Sequence, residues 1–412
     1  MKNLETLIQE LCPDGVEFRT MEEVFEIRNG YTPSKNNPDF WEGGTIPWFR
    51  MEDIRQNGRI LSDAIQHITP AAIKGKGLFR ANSIIIATTA TIGEHALVIA
   101  DSLANQRFTN LSVRKSLSAC LLPKFVFYYM FVIDEWCKKN VNAGNFASVD
   151  MKRFKKLEFP LPPIEVQTEI VRILDKFTSL EAELEAELDC RKRQYEYYRD
   201  KLLSFENVGG QEVEWKKMSE VFDMRNGYTP SKAKAEYWEG GTIPWFRMED
   251  IRENGRILSD SIQHITMEGV KKGKLFPANS FILATTATIG EHALVIADSL
   301  ANQRFTNLTV CKSLSDRLLV KFVFHYMFIV DEWCKKNINV SGFASVDMNK
   351  FKKLEFPIPS LEEQHRIVNI LDRFESLTTS LQSGLPAEIA ARRQQYEHYR
   401  DKLLTFKRKG TA

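Results

Sequence analysis

Apolar residues recur at helical spacing through one long stretch that begins just after a proline cluster. Pro160, Pro162 and Pro163 exclude helix there and impose an extended approach. Ile170, Leu174, Phe177, Leu184, Leu188, Tyr195, Tyr198 and Leu202 then follow spacings of four and three, or their sums. That pattern predicts the seam of a long helix packing against a partner helix, interrupted by Glu181 and Arg191. About forty residues at about 1.5 Å each make a rod on the order of 60 Å. The same pattern is written again from Leu354 to Phe406, so the partner is expected in the same chain.

Repetition extends far beyond the helices. RNGYTPSK begins at Arg28 and again at Arg225, 197 positions on. WEGGTIPWFRMEDIR (Trp41–Arg55 and Trp238–Arg252) and ATTATIGEHALVIADSLANQRFTNL (Ala87–Leu111 and Ala284–Leu308) recur unchanged at that offset. ASVDM and KKLEFP recur as well. A period this long makes each copy a domain plus a helix rather than a solenoid unit. Within each copy the pattern is mixed. Ser83–Thr89 and Ala96–Ala100 read as strands, and Gly30, Gly43, Gly44 and Gly58 as turns. Phe125–Lys139 reads as a helix with Phe125, Tyr128, Tyr129, Val132 and Trp136 on one face. Leu4, Leu7, Ile8 and Leu11 predict a short amphipathic helix ended by Pro13.

The predicted fold is α+β: two tandem, near-identical globular domains, each followed by a long coiled-coil helix. The expected boundaries are 1–160 for domain 1 (N-terminal helix 1–12), 161–206 for the first helix, 207–357 for domain 2 and 358–412 for the second helix. The register slips once, because Phe177 matches Phe374 at 197 whereas Tyr195 matches Tyr396 at 201. Four extra residues are close to one helical turn and keep the seam roughly on one face. The first helix carries LEAE-LEAE-L over Leu180–Leu188, where the second carries Ser383-Gly384-Leu385-Pro386. Proline inside a helix costs about 3 kcal/mol and glycine about 1. A kink or short break is therefore expected near Gly384–Pro386.

Composition narrows the class. With 43% hydrophobic and 27% charged residues, the chain is that of a globular protein. No apolar run reaches about 18 residues and no signal-peptide pattern is present, which predicts a cytoplasmic protein away from membranes. Six cysteines without a C-x-x-C pair argue for reduced thiols, not a disulfide framework or zinc site. A net charge of +2 neither demands nor excludes nucleic acid, because binding needs only a local basic face. There is no phosphate loop, dinucleotide fingerprint, H-E-x-x-H or G-x-S-x-G, so no catalytic residue and no metal site is expected. His95 and His292, each in Gly-Glu-His, could in principle serve acid–base chemistry with Glu94 or Glu291, but read better as strand-edge histidines.

What remains is chemistry suited to nucleic acid. The segment Arg28–Lys35 is a turn dense in donors for phosphates and base edges, and Arg50 follows two aromatics. Thr88 and Thr89 either present hydroxyls at a strand end or only satisfy neighbouring backbone. Asn105-Gln106-Arg107 is able to make bidentate base contacts. Trp48 and Phe49 are expected in the core more than as stacking platforms, and Asn29 is open to a left-handed turn. The candidate contacts are Arg28, Tyr31, Ser34, Lys35, Arg50, Thr88, Thr89, Gln106 and Arg107, with the copies Arg225, Tyr228, Ser231, Lys232, Arg247, Thr285, Thr286, Gln303 and Arg304.

The order G-Y-T-P-S-K, W-E-G-G-T-I-P-W, A-T-I-G, A-N-Q and then P-L-P-P-x-E-x-Q before a long helix resembles the DNA-specificity subunit of type I restriction–modification systems, twice over nearly the whole chain. The closing motif is Pro160–Gln167; its second copy, Pro357–Gln364, has Ser360 for one proline. The resemblance implies two target-recognition domains separated by two long antiparallel coiled-coil helices, each domain reading half of a split double-stranded DNA site, with the helices as a ruler and dock for modification (methyltransferase) subunits. It implies no cofactor on this chain. S-adenosylmethionine, ATP and Mg²⁺ are expected on partner subunits, with a restriction subunit a further candidate. LEAELEAEL looks like the four-residue repeats of that family. Near-identical domains in inverted orientation predict a nearly palindromic target. The competing reading is a protein-interaction scaffold that does not bind DNA.

Overall fold

The computed structural model describes residues 4–142, 147–205, 213–339, 344–379 and 384–410. The chain divides into two compact units, Met1–Glu185 with Ile389–Ala412, and Ala186–Glu388. Each consists of a mixed domain, the start of the helix that follows it, and the end of the other long helix.

In the first unit the strands are β1 (Glu17–Thr20), β2 (Phe25–Asn29), β3 (Ile46–Phe49), β4 (Ile60–Leu61), β5 (His67–Ile68), β6 (Ser83–Ala87), β7 (His95–Val98), β8 (Leu103–Ala104), β9 (Phe108–Val113), the short pair β10 (Val141–Asn142) and β11 (Ser148–Val149), and β12 (Glu158–Leu161), which pairs with β1. A five-stranded sheet runs β2-β9-β6-β7-β4, antiparallel except at β4–β7, and a three-stranded one runs β5-β3-β8. Strand β6, Ser-Ile-Ile-Ile-Ala, is buried at every position because both faces of the sheet are covered. Ile84 and Ile86 face the helix Pro123–Lys139, while Ile85 and Ala87 face Trp48, Phe49 and Phe79. Trp48 and Phe49 are thus core residues. The helix is buried over a wider sector than its sequence suggests, through Phe125, Val126, Tyr129, Met130, Ile133 and Cys137. Val132, expected on the inner face, is instead exposed. Burial pushes the Tyr129 hydroxyl and the Cys137 thiol up to about 12. The N-terminal helix spans Leu4–Leu11, and the second unit repeats the same sheets.

The first long helix is continuous from Ile164 to Leu203. Its opening turns do not form the helix–helix seam expected of them. Val166, Ile170 and Leu174 enter the core of the domain, and Tyr128 and Lys124 both bond Asp175 at 2.6 Å. Seam packing within the unit begins at Phe177, which stacks on Tyr399 at 5.5 Å and lies 6.4 Å from Tyr396. Further along, Arg393 joins Glu181 and Glu185. Partner numbers fall as helix numbers rise, so the pair is antiparallel. The second unit repeats the geometry, with Tyr198 stacked on Phe374 at 5.6 Å. The four-residue slip is visible in side-chain roles. Arg400 covers Tyr396 and Phe131 in the first unit as Arg199 covers Tyr195 and Phe328 in the second.

The second long helix is two helices, Leu361–Thr379 and Leu385–Leu403. Gly384 sits at φ +81°, and Pro386 falls in the new helix's first turn, where no amide bond is lost. Ser383 lies outside the described residues. The tail closes the first unit: Val16 exchanges backbone bonds with Lys407 and Lys409, and Arg408 pairs with Glu158. Among the described residues no helix is long and apolar enough to cross a membrane.

Candidate nucleic-acid interface

Three conserved-in-copy segments converge on one surface of each domain. The first is the loop after β2. Gly30 is pressed so close to the next segment that a Cβ would lie 2.3 Å from the carbonyl oxygens of Ala104 and Asn105, which only glycine tolerates. Arg28 turns inward, donating to the carbonyls of Leu78 and Gly77 and lying over Phe79. Tyr31 also works inward, its hydroxyl donating to Ala72 O and accepting from Lys74 N–H. Trp48 Nε1 donates to Tyr31 O and Trp41 Nε1 to Ser34 O, so two indoles fix the loop backbone. Ser34 and Lys35 are left facing solvent.

The second segment is the junction of β3 with the short helix Met51–Asn57. Asp53, fully buried, accepts from Arg50 N–H and Ile65 N–H at 2.6 Å each, which locks Arg50 at the helix start. The Arg50 guanidinium lies 5.9 Å from the Trp48 ring, and its Nε makes no hydrogen bond, only a long ion pair to Glu52 at 4.0 Å. The third segment is the turn at Asn105, whose side chain accepts from Arg107 N–H and projects Gln106 and Arg107 outward. Thr32 Oγ1 donates to Gln106 Oε1, tying the first segment to the third.

In the second domain these segments border an open, shallow cavity of about 290 Å³ lined by Lys232, Arg247, Gln303 and Arg304, with Thr229, Trp245, Glu249 and Asn302. Three cations face a single carboxylate, so the cavity suits an anion. Four of the predicted residues meet here, and their copies Lys35, Arg50, Gln106 and Arg107 occupy the same segments of the first domain. Arg225 and Tyr228 turn inward to Lys274 O, Gly269 O and Lys271 N–H. Ser231 is exposed beside the cavity. Thr88 and Thr285 are buried and share hydrogen bonds with Thr109 and Thr306, while Thr89 and Thr286 bridge to the backbone of Ser148 and Ser345. Asn29 is a strand residue without left-handed backbone, its Oδ1 accepting from Thr109 Oγ1. Thr229 and Glu249 were not singled out by sequence reasoning. Glu249 lies 3.9 Å from Arg247, two residues after it, a spacing that could have signalled it.

The histidines are not at a strand edge. His95 begins the interior strand β7, fully buried, with Nδ1 2.6 Å from Asp134 Oδ2 and the rings of Phe127 and Phe131 around it. His292 pairs with Asp331 identically. The partner is an aspartate on the covering helix, not the adjacent glutamate. Sealed from solvent, the dyad ties helix to sheet.

The fold and the doubled cationic surface define a two-domain reader mounted on paired helices. The model of the type I restriction modification DNA specificity domain matches twice, at residues 13–189 and 211–391, so the chain belongs to that family and is a DNA-recognition subunit of a restriction–modification complex. Among its relatives is the type I restriction enzyme EcoprrI specificity subunit of Escherichia coli, 40% identical over 89% of this chain and 90% of that one. The EcoR124I/EcoR124II specificity subunit of the same organism is 38% identical over 73% and 76%. The fold is shared with a chain of a solved type I R-M system assembly (TM-score 0.64, 17% identity, 95% and 97% covered). It is shared also with the HsdS subunit of Thermoanaerobacter tengcongensis (0.53, 16%, 96% and 97%). These relatives are named for specificity, so the chain's part is recognition and not catalysis.

Proposed function

We propose that each domain reads one half of a bipartite double-stranded DNA site through the surface just described. The observation that supports this is the same set of segments, identical in sequence, exposing lysine, arginine and glutamine in both domains. Lys35, Arg50, Arg107 and Ser34, with Lys232, Arg247, Arg304 and Ser231, contact phosphates or guanine; Gln106 and Gln303 read base edges. Arg28, Tyr31, Thr88 and Thr89, with Arg225, Tyr228, Thr285 and Thr286, act one layer below by holding the loops. Equal domains read equal half-sites, and with those half-sites on opposite strands the target is nearly palindromic. The long helices set the spacing and dock methyltransferase subunits. Those partners, and a restriction subunit where present, carry S-adenosylmethionine, ATP and Mg²⁺ in the cytoplasm.

Selection from random duplex DNA with the chain co-purified with its modification subunit tests this. Two matching inverted half-sites at fixed spacing are expected. Two unrelated half-sites would refute the symmetry, and the absence of any enriched sequence would favour a scaffold.

A further inference from the structure

The two copies are nearly interchangeable, yet they differ in side-chain chemistry where the domain meets its own helix. In the first unit Asp175 is satisfied by the Tyr128 hydroxyl and the Lys124 ammonium, both at 2.6 Å, and Thr178 bonds the backbone of its own helix. In the second unit the corresponding positions hold His325, Asp372 and Glu375. A neutral hydroxyl pair has become an imidazole and a second carboxylate, while the aspartate is kept.

The three potential ligand atoms lie within 4.8 Å of one another. His325 is fully buried on the helix Val320–Lys336, and Asp372 and Glu375 are three apart on Leu361–Thr379, hence on one face. His325 Nε2 is 2.8 Å from Asp372 Oδ1, and on its far side Nδ1 lies 3.4 Å from the Tyr195 hydroxyl. Charged or titratable groups around the cluster include Lys321, 3.5 Å from Asp372, and more remotely Arg256 and His292.

We propose that His325, Asp372 and Glu375 form a binding site for one zinc-like divalent ion that fastens the second domain to its helix. One imidazole and two carboxylates are an N/O set of the kind zinc accepts, at about 2.0–2.2 Å per bond, with water in the remaining position. Around the ion the 2.8 Å His325–Asp372 pair opens slightly and the wider separations close, toward the donor spacing of about 3.4 Å that such bonds impose. His325 brings the nitrogen donor from the domain, and Asp372 and Glu375 bring two oxygen donors from the helix, so one ion would bridge the two elements. To bind the metal the imidazole takes the tautomer with its single proton on Nδ1, which frees the Nε2 lone pair to ligate and lets Nδ1–H donate to the Tyr195 oxygen, an orienting contact of the kind metal-bound histidines keep. Two carboxylate charges and one dication cancel, which releases Lys321 to solvent.

The first copy supplies the control, because His325→Tyr with Glu375→Thr recreates a set of side chains that already folds in this chain. The full-length protein is stripped with chelator, loaded with zinc chloride, desalted and assayed for metal by mass spectrometry and chelator competition. One equivalent is expected in the parent and none in the double substitution. Tyr195→Phe should retain the ion with affinity reduced about 10- to 100-fold. Cobalt loading should give visible d–d absorption in the parent alone. Equal zinc in parent and double substitution, or none in the folded parent, overturns the proposal and leaves DNA reading untouched.

Discussion

Arg50 and Arg247 show how a single side chain is prepared for contact. Each is fixed through its backbone by a buried aspartate and steadied over a tryptophan face, and its Nε makes no hydrogen bond, only a long ion pair with the glutamate two residues on. The loss of side-chain freedom is met on folding, so little remains to be met on binding. Replacing Arg247 with alanine should weaken binding about equally on all sequences and lower the salt slope by about 1, as for one lost phosphate contact. Gln303→Ala should instead relax preference at one base pair, by about 1–3 kcal/mol. Titrations at several salt concentrations on matched and mismatched duplexes separate the two, and an unchanged slope in Arg247→Ala would remove it from the interface. Residue type alone could not make this division. Arg28 and Lys35 stand in one motif, but Arg28 is in a strand that aims it at Leu78 O, and Lys35 is in the loop beyond. Which of two cations faces inward depends on a segment some fifty residues away, and local spacing carries no trace of it.

At the scale of elements, the repeat and the periodicity made the helices legible but not their partners. Ile170 and Leu174 keep seam spacing whether they meet a helix or a domain, since a helix presents the same stripe to either. The signal that decides between them is Gln167, the last residue of the proline motif. Fully buried, it accepts from Leu122 N–H and donates to the carbonyls of Cys120 and Pro162; Gln364 does the same with Leu319, Arg317 and Pro359. This amide clamps the helix start to the domain. Gln167→Ala should strand several buried backbone groups and cost at least about 2 kcal/mol, read as a lower denaturation midpoint at unchanged slope. A variant as stable as the parent would show that the motif is not a clamp. The break before Leu385 was legible for the opposite reason: glycine and proline act on their own backbone and need no partner to be read.

Over the whole molecule, the two long helices differ where the first carries Leu180-Glu-Ala-Glu twice and the second carries Gly384 and Pro386. The unbroken helix is therefore the better candidate for a ruler. Its repeat is built to change length without losing its seam. Both Glu181 and Glu185 hold Arg393, so removing Leu180–Glu183 brings Glu185 into the position of Glu181 and preserves an ion pair. Four residues turn a helix by about 400°, leaving the face displaced by about 40°. The deletion shortens the rod by about 6 Å. That is close to two base-pair steps of 3.4 Å, so selected sites should show unchanged half-sites with a spacer about two base pairs shorter. The half-sites stay the same because every residue of both reading surfaces lies outside the deleted segment. If spacing were set by the DNA-contacting loops or by a partner subunit, the deletion would leave the selected spacer as it was, and the helix would be only a mount.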